Sequence, residues 1–318
     1  MKMRTNNKKT TKTKRLLKRV RKRRLQTITI LPSLVTIING VCGFAAITFA
    51  GKAAIAADGQ VTGLPYFSLA GYLILLAMIA DMLDGRLARM SQSTSSFGGQ
   101  LDSLCDMISF GVAPAYLMIK MLEFYSGQTP TGAFETFFDR FVWLGAAAYV
   151  SCAAIRLARF NVENEEDEAA HMSFLGLPTP AAAGALVSLM IFYQSMPDVF
   201  EAGSALAIIA RYSLLYGLPL LTIGVGVLMV SRIRYPHVIN QYVKGKKPLT
   251  HLLWLLAGIG LVIWSFQIAL VFGFCGFAAL GLGRWIYYKV LRLHERSKQR
   301  LQITSPLENA PSGEKSTA

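Results

Sequence analysis

Acidic residues are scarce in this chain. Asp and Glu together number 18 in 318 residues, and all charged side chains make up only 16%, where a soluble globular protein carries about 25%. That deficit argues against an ordinary water-soluble domain. Cysteine is equally sparse. Cys42, Cys105, Cys152 and Cys275 lie far apart in apolar segments and form no C-x-x-C pair, so a thiolate metal centre or redox motif has no basis. They read as small buried apolar side chains. The four histidines, His171, His237, His251 and His294, offer no spaced ligand pair.

What the chain has instead is apolar length. Hydrophobic residues make up 53%, mean hydropathy is +0.41, and several windows reach the roughly 20 apolar residues that cross a bilayer core. The expected fold class is an all-α polytopic membrane protein. Eight spans are predicted, at 29–50, 65–83, 99–122, 138–160, 178–196, 206–231, 250–269 and 270–288. The corresponding organisation is a basic tail (1–27), a six-helix core (28–231), a loop with two further spans (232–288) and a polar tail (289–318). The stretch TSPLENAPSGEKSTA at its end is expected to be disordered.

The formal charge of +15 is concentrated at one end, because residues 1–25 hold 13 Lys and Arg and no acid. Beside a membrane span, such a tail suits an anionic lipid surface. Nothing else in the chain resembles a nucleic-acid module, so nucleic acid is not expected as a partner. The tail is also unlike a cleavable signal peptide, since its basic region is too long. Basic residues in the short loops set the orientation. If the N-terminus is cytoplasmic, loops 84–98, 161–177 and 232–249 and the C-terminus are cytoplasmic as well, and they carry Arg86, Arg89, Arg232, Arg234, Lys244, Lys246 and Lys247. The opposite loops, 51–64, 123–137 and 197–205, contain Lys52 as their one basic residue. The expected location is a bacterial inner membrane.

Against this apolar background, residues 81–106 read DMLDGRLARMSQSTSSFGGQLDSLCD. Ionised groups at a span's edge are costly and usually functional. If the second span continues as a helix, Asp81, Asp84, Gly85 and Ala88 fall within about 100° of arc. Two carboxylates then share a face with two of the smallest side chains, which leave room for a bulky group. Arg89, one turn beyond Gly85, borders that face and suits a phosphate. The next helix starts near Gly98-Gly99, and Asp102 and Asp106, at i and i+4, share a face of it. Four carboxylates in one pocket call for cations, and hard oxygen ligands suit Mg²⁺ or Mn²⁺. Two such ions about 3.5–4 Å apart are a known device for phosphoryl chemistry.

The full pattern is Asp81-x2-Asp84-Gly85-x2-Ala88-Arg89-x8-Gly98-x3-Asp102-x3-Asp106, eight residues over 26 positions. It resembles the signature of the CDP-alcohol phosphatidyltransferase family, over roughly residues 28–230. The resemblance implies an enzyme that replaces CMP on a CDP-linked lipid with an alcohol. It implies that Asp81, Asp84 and Asp102 bind two divalent ions, that Asp106 lies at the metals and acts as base, and that Gly85, Ala88, Arg89 and Gly98 contact CDP. It also implies a homodimer. The spacing alone does not separate base from ligand.

Three other stretches, LPSLVTIINGVCG (31–43), RLARFN (156–161) and FLGLPTPAAAG (174–184), resemble the phosphatidylserine synthase branch. Ser33 stands where many relatives have Asn. The substrates so implied are CDP-diacylglycerol and L-serine, with glycerol 3-phosphate, inositol phosphate or choline as alternative acceptors. Thr36 and Asn39, one turn apart, can face the nucleotide or make interhelical hydrogen bonds. Arg156 and Arg159 can hold the acceptor's carboxylate, or serve as a positive-inside anchor or a phosphate contact. A cation transporter is the alternative of another class. The one-sided clustering of the aspartates and the lack of repeated halves speak against it.

Overall fold

The computed structural model describes residues 33–52, 66–91, 96–126, 133–166, 176–199, 204–233, 235, 260, 262 and 264–308; at some helix ends, such as 88–91 and 293–308, only the backbone is described. Helices make up all the regular structure among these residues. A backbone in lipid must satisfy its own hydrogen bonds, and a helix does so within one segment. The elements are α1 (Ser33–Lys52), α2 (Tyr66–Ser91), α3 (Ser96–Asp106), a π-helical turn (Met107–Val112), α4 (Ala113–Ser126), α5 (Ala133–Glu166), α6 (Thr179–Val199), α7 (Ala205–Val230) and α8 (Phe266–Glu308). α3, the π turn and α4 form one continuous rod.

Among the described residues, six helices are long and apolar enough to cross a membrane: Ser33–Lys52, Tyr66–Leu87, Phe97–Tyr125, Phe137–Val162, Ala205–Val230 and Phe266–Arg292. The chain is therefore a multi-pass integral membrane protein. The 21-residue α6, about 31 Å long at 1.5 Å per residue, is enclosed by the others. Ala182, Ala183, Leu186, Val187 and Ser188 are fully buried. Its small side chains admit close neighbours: a Cβ on Gly184 would lie 2.3 Å from the Phe274 ring of α8, and one on Gly71 of α2 would lie 2.7 Å from Ile191 of α6. Close approach through small residues is how membrane helices gain packing energy, since lipid supplies no hydrophobic drive between them.

Gly176 opens α6 from an elbow. Its φ is +84°, and its added Cβ would lie 2.2 Å from the Met229 carbonyl oxygen of α7. The elbow is tied to the end of α7 by Gly176 N–H to Ile233 O at 2.8 Å and Leu177 N–H to Leu228 O at 3.0 Å. Pro178 and Pro180 flank Thr179, the first residue of α6, as expected of a helix entry.

The division between the last two predicted spans needs correction. The division expected at 269/270 lies inside α8. Gly260, Val262 and Trp264 are helical, Ser265 interrupts the helix, and α8 begins at Phe266. Most of the predicted span 250–269 lies outside the described residues. α8 also continues to Glu308, so the start of the stretch expected to be disordered is helical. Likewise α5 runs on to Glu166, into the predicted loop 161–177. The basic tail 1–27, loop residues 236–249 and residues 309–318 lie outside the described residues.

Candidate active site

The aspartates sit where α1, α2 and α3 meet at one end of the bundle. One carboxylate oxygen each from Asp81, Asp102 and Asp106 lies within 4.8 Å of the others. Asp81 and Asp102 are half-buried, and Asp106 is 8% exposed. Like charges this close in a low-dielectric setting repel strongly, and convergent hard oxygens are the donor set a divalent metal takes. The residues therefore fit a divalent metal.

Asp84 stands apart from that triad. It is buried, and its Oδ2 accepts a hydrogen bond from Thr36 Oγ1 of α1. Asn39, one turn later and fully buried, donates from Nδ2 to Asp106 Oδ1 at 2.8 Å. So Thr36 and Asn39 make the interhelical hydrogen bonds that were one of their two sequence readings. Each holds one carboxylate oxygen and fixes that carboxylate's orientation. The other amide atom of Asn39, Oδ1, is buried and has no hydrogen-bond partner among the described residues.

α1 reaches these aspartates because two of its glycines let it lie against the α3 rod. A Cβ on Gly40 would lie 2.9 Å from Cys105 Sγ, and one on Gly43 only 2.6 Å from Ser109 Cα. Ser109 Oγ also donates to the Asn39 carbonyl at 2.8 Å. Cys105 is thus a packing residue against Gly40, in line with its reading as a small buried side chain.

The π turn begins directly after Asp106. A π turn inserts one residue and breaks the regular i to i−4 ladder, and such turns gather at functional sites. Here the Phe110 carbonyl accepts from Tyr149 Oη of α5 at 2.8 Å, both residues being fully buried. No periodicity in MISFGV announced this turn. Ser109 and Tyr149 were missed for the same reason: each is polar in an apolar segment, but its partner lies 39 or more positions away.

The end of α5 closes another side. Asn161 Oδ1 accepts from Ser103 Oγ at 2.9 Å, next to Asp102. Arg156 Nε donates to the Leu177 carbonyl at 2.6 Å, so part of its guanidinium secures the elbow before α6. Arg159 is exposed. On α2, Gly85 faces open space, with nothing within 4 Å of an added Cβ. Gly98 is half-buried at the start of α3. The side chains of Ala88 and Arg89 lie outside the described residues.

The sequence profile of the CDP-alcohol phosphatidyltransferase family matches residues 29–223. This chain belongs to that family. The match ends within α7, so α8 lies beyond the shared core. Among curated relatives, the CDP-diacylglycerol–serine O-phosphatidyltransferase of Helicobacter pylori is 33% identical over 232 residues, 73% of this chain and 86% of that one. The protein of the same name from Methanocaldococcus jannaschii is 34% identical over 182 residues, 57% of this chain and 71% of that one. The Saccharomyces cerevisiae protein of that name is 35% identical over 161 residues, about half of each chain.

Proposed function

We propose that the protein is a CDP-diacylglycerol–serine O-phosphatidyltransferase, transferring the phosphatidyl group of CDP-diacylglycerol to L-serine. The observation that supports this most is the convergence of Asp81, Asp102 and Asp106 within 4.8 Å, in a family whose named relatives use serine. The serine hydroxyl oxygen bonds to the β-phosphorus, the bond from that phosphorus to the CMP oxygen breaks, and phosphatidylserine and CMP result. Asp81, Asp102 and Asp106 would hold a divalent metal, with Asp84 available to a second ion, and when bound it would supply Lewis-acid polarisation of the diphosphate and charge stabilisation for the CMP leaving group. We favour Mg²⁺ or Mn²⁺ on the hardness of the donors.

The chain's own residues do the rest. Asp106 accepts the proton of the attacking hydroxyl, a role that needs a carboxylate at hydrogen-bond reach of the acceptor. Asn39 keeps one Asp106 oxygen engaged, so the other is presented in a fixed direction. Thr36 does the same for Asp84. These two residues reach CDP through the carboxylates they orient. Gly85 gives the diphosphate close access to the α2 backbone, with Ala88, Arg89 and Gly98 bordering it. Arg156 and Arg159 receive the serine carboxylate. The catalytic unit is residues 28–231, and the protein works as a homodimer. The Lys and Arg asymmetry of the loops supports a cytoplasmic site and cytoplasmic termini in a bacterial inner membrane, with residues 1–25 on its anionic surface.

The test is CMP release by the purified full-length chain from CDP-diacylglycerol, offered serine, glycerol 3-phosphate, inositol phosphate or choline, each with and without Mg²⁺ or Mn²⁺. Serine with metal is expected to give CMP. Release with another acceptor and none with serine would overturn the acceptor. Asp106→Asn is expected to abolish turnover while CDP-lipid still binds, whereas a wild-type chain that never bound CDP-lipid would contradict the whole reading.

A further inference from the structure

An open groove of about 640 Å³ runs along α8, lined by Gly276, Ala279, Leu280, Gly283, Arg284, Tyr287 and Tyr288. It lies outside the family core and takes no part in the chemistry above. At 100° per residue, these side chains centre about half a turn from Phe274, Cys275, Ala278 and Gly281. Those four form the packed side of α8. Phe274 abuts Gly184 of α6, Cys275 Sγ lies 3.7 Å from the Ala185 carbonyl, and Tyr235 reaches the Ala278 carbonyl at 3.4 Å and covers Gly281. The groove therefore opens on the side of α8 opposite its contacts with α6 and Tyr235.

Its depth within the membrane follows from the same contacts. Phe266 stacks near Tyr72, early in α2. Tyr235, just past the site end of α7, meets α8 at Phe277 and Ala278. α8 thus runs toward the aspartate end of the bundle, and Arg284 lies about two turns past Phe277, at headgroup level. The floor below it is apolar, and Gly276 and Gly283 have nothing within 4 Å of an added Cβ. Trp285, Tyr287 and Tyr288 are exposed, and Lys289 Nζ sits 4.6 Å from the Trp285 ring centroid. Aromatic rings and basic side chains at one level are the marks of a membrane–water boundary. From 284 to 300 the chain carries Arg284, Lys289, Arg292, Arg296, Lys298 and Arg300 against Glu295 alone.

We infer that this groove is a binding site for an anionic glycerophospholipid of the leaflet on the aspartate side, separate from the catalytic substrate site. An acyl chain lies along Gly276, Ala279 and Gly283, and the phosphate meets Arg284 between the phenols of Tyr287 and Tyr288. A second copy of the chain fits less well. Leu280, 68% exposed, stands between Gly276 and Gly283 and prevents the close backbone approach of small-residue helix pairs. A two-fold contact here would also bring one Arg284 toward its copy.

The test is native mass spectrometry of the full-length protein released from micelles with equal phosphatidylglycerol and phosphatidylcholine, comparing wild type with Arg284→Gln and Gly283→Leu. Wild type is expected to retain phosphatidylglycerol preferentially. Arg284→Gln should lower that preference about fivefold, the effect of one basic residue near an anionic surface. Gly283→Leu should remove the retained lipid, with thermal stability of both variants close to wild type. Phosphatidylglycerol retention unchanged in both variants would overturn the site. So would a wild-type dimer that Gly283→Leu dissociates without altering lipid retention, since the groove would then be a contact between copies. The outcome does not depend on which acceptor the enzyme uses.

Discussion

Replacing Gly43 with alanine tests the idea that α1 positions the carboxylates. The added Cβ would lie 2.4 Å from Ser109 Oγ and 2.6 Å from Ser109 Cα. Rotating the serine side chain relieves the first contact but not the second, which is to backbone. Carbon atoms rest at about 3.5–4.0 Å, so α1 and the π turn must separate by about 1 Å. The Asn39 Nδ2 to Asp106 bond, now 2.8 Å, would then stretch to about 3.8 Å, beyond any useful hydrogen bond. A misplacement of that size costs on the order of 100-fold in rate, and overpacking costs about 1–3 kcal/mol of stability. The measurement is metal-dependent CMP release from CDP-diacylglycerol and serine, alongside thermal unfolding in detergent. We expect a folded protein with kcat down about 100-fold. Activity within about threefold of wild type would refute the view that contact between α1 and the α3 rod orients Asp106.

Gly85→Leu provides the contrast: open space around Gly85 predicts an unchanged melting temperature but weakened CDP-lipid binding, measurable by titration. Tyr149→Phe leaves the buried Phe110 carbonyl without its donor, and the unpaired group should lower unfolding free energy by about 1–3 kcal/mol. If the π turn relaxes as well, kcat falls with little change in the KM for serine. Gly176→Ala combines a left-handed backbone with a Cβ 2.2 Å from a carbonyl oxygen, so it should lower the melting temperature more than any of these. Asp81→Asn or Asp102→Asn should each weaken Mn²⁺ binding, read directly by electron paramagnetic resonance, because each removes one of three converging carboxylates.

Gly85 and Gly43 also show how much of the site was legible beforehand. Asp81, Asp84 and Gly85 share a face because a helix repeats every 3.6 residues, and that phase can be read from any sequence once the helix is assumed. The same reasoning paired Asp102 with Asp106. It could not say that Asp84 would be held by Thr36 while the other three converge, since that depends on where α1 lies. Nor could it decide between the two readings of Asn39. The π turn stayed hidden because its stabilising partners, Tyr149 and Asn39, are distant in sequence. The break before α8 was misplaced because Ser265 and Gln267 are only a brief polar interruption in a long apolar run.

By itself, then, the sequence determined that the chain is helical and membrane-embedded, and that four aspartates stand at the edge of two spans. Both properties rest on local periodicity and on the cost of charge in lipid, which act over a few residues. Only the tertiary structure decided which three carboxylates share a metal-sized space, and that Asn39 and Thr36 orient their neighbours. It alone committed part of Arg156 to the elbow before α6. These outcomes depend on how closely two helices approach, and a glycine 66 residues from Ser109 sets that distance.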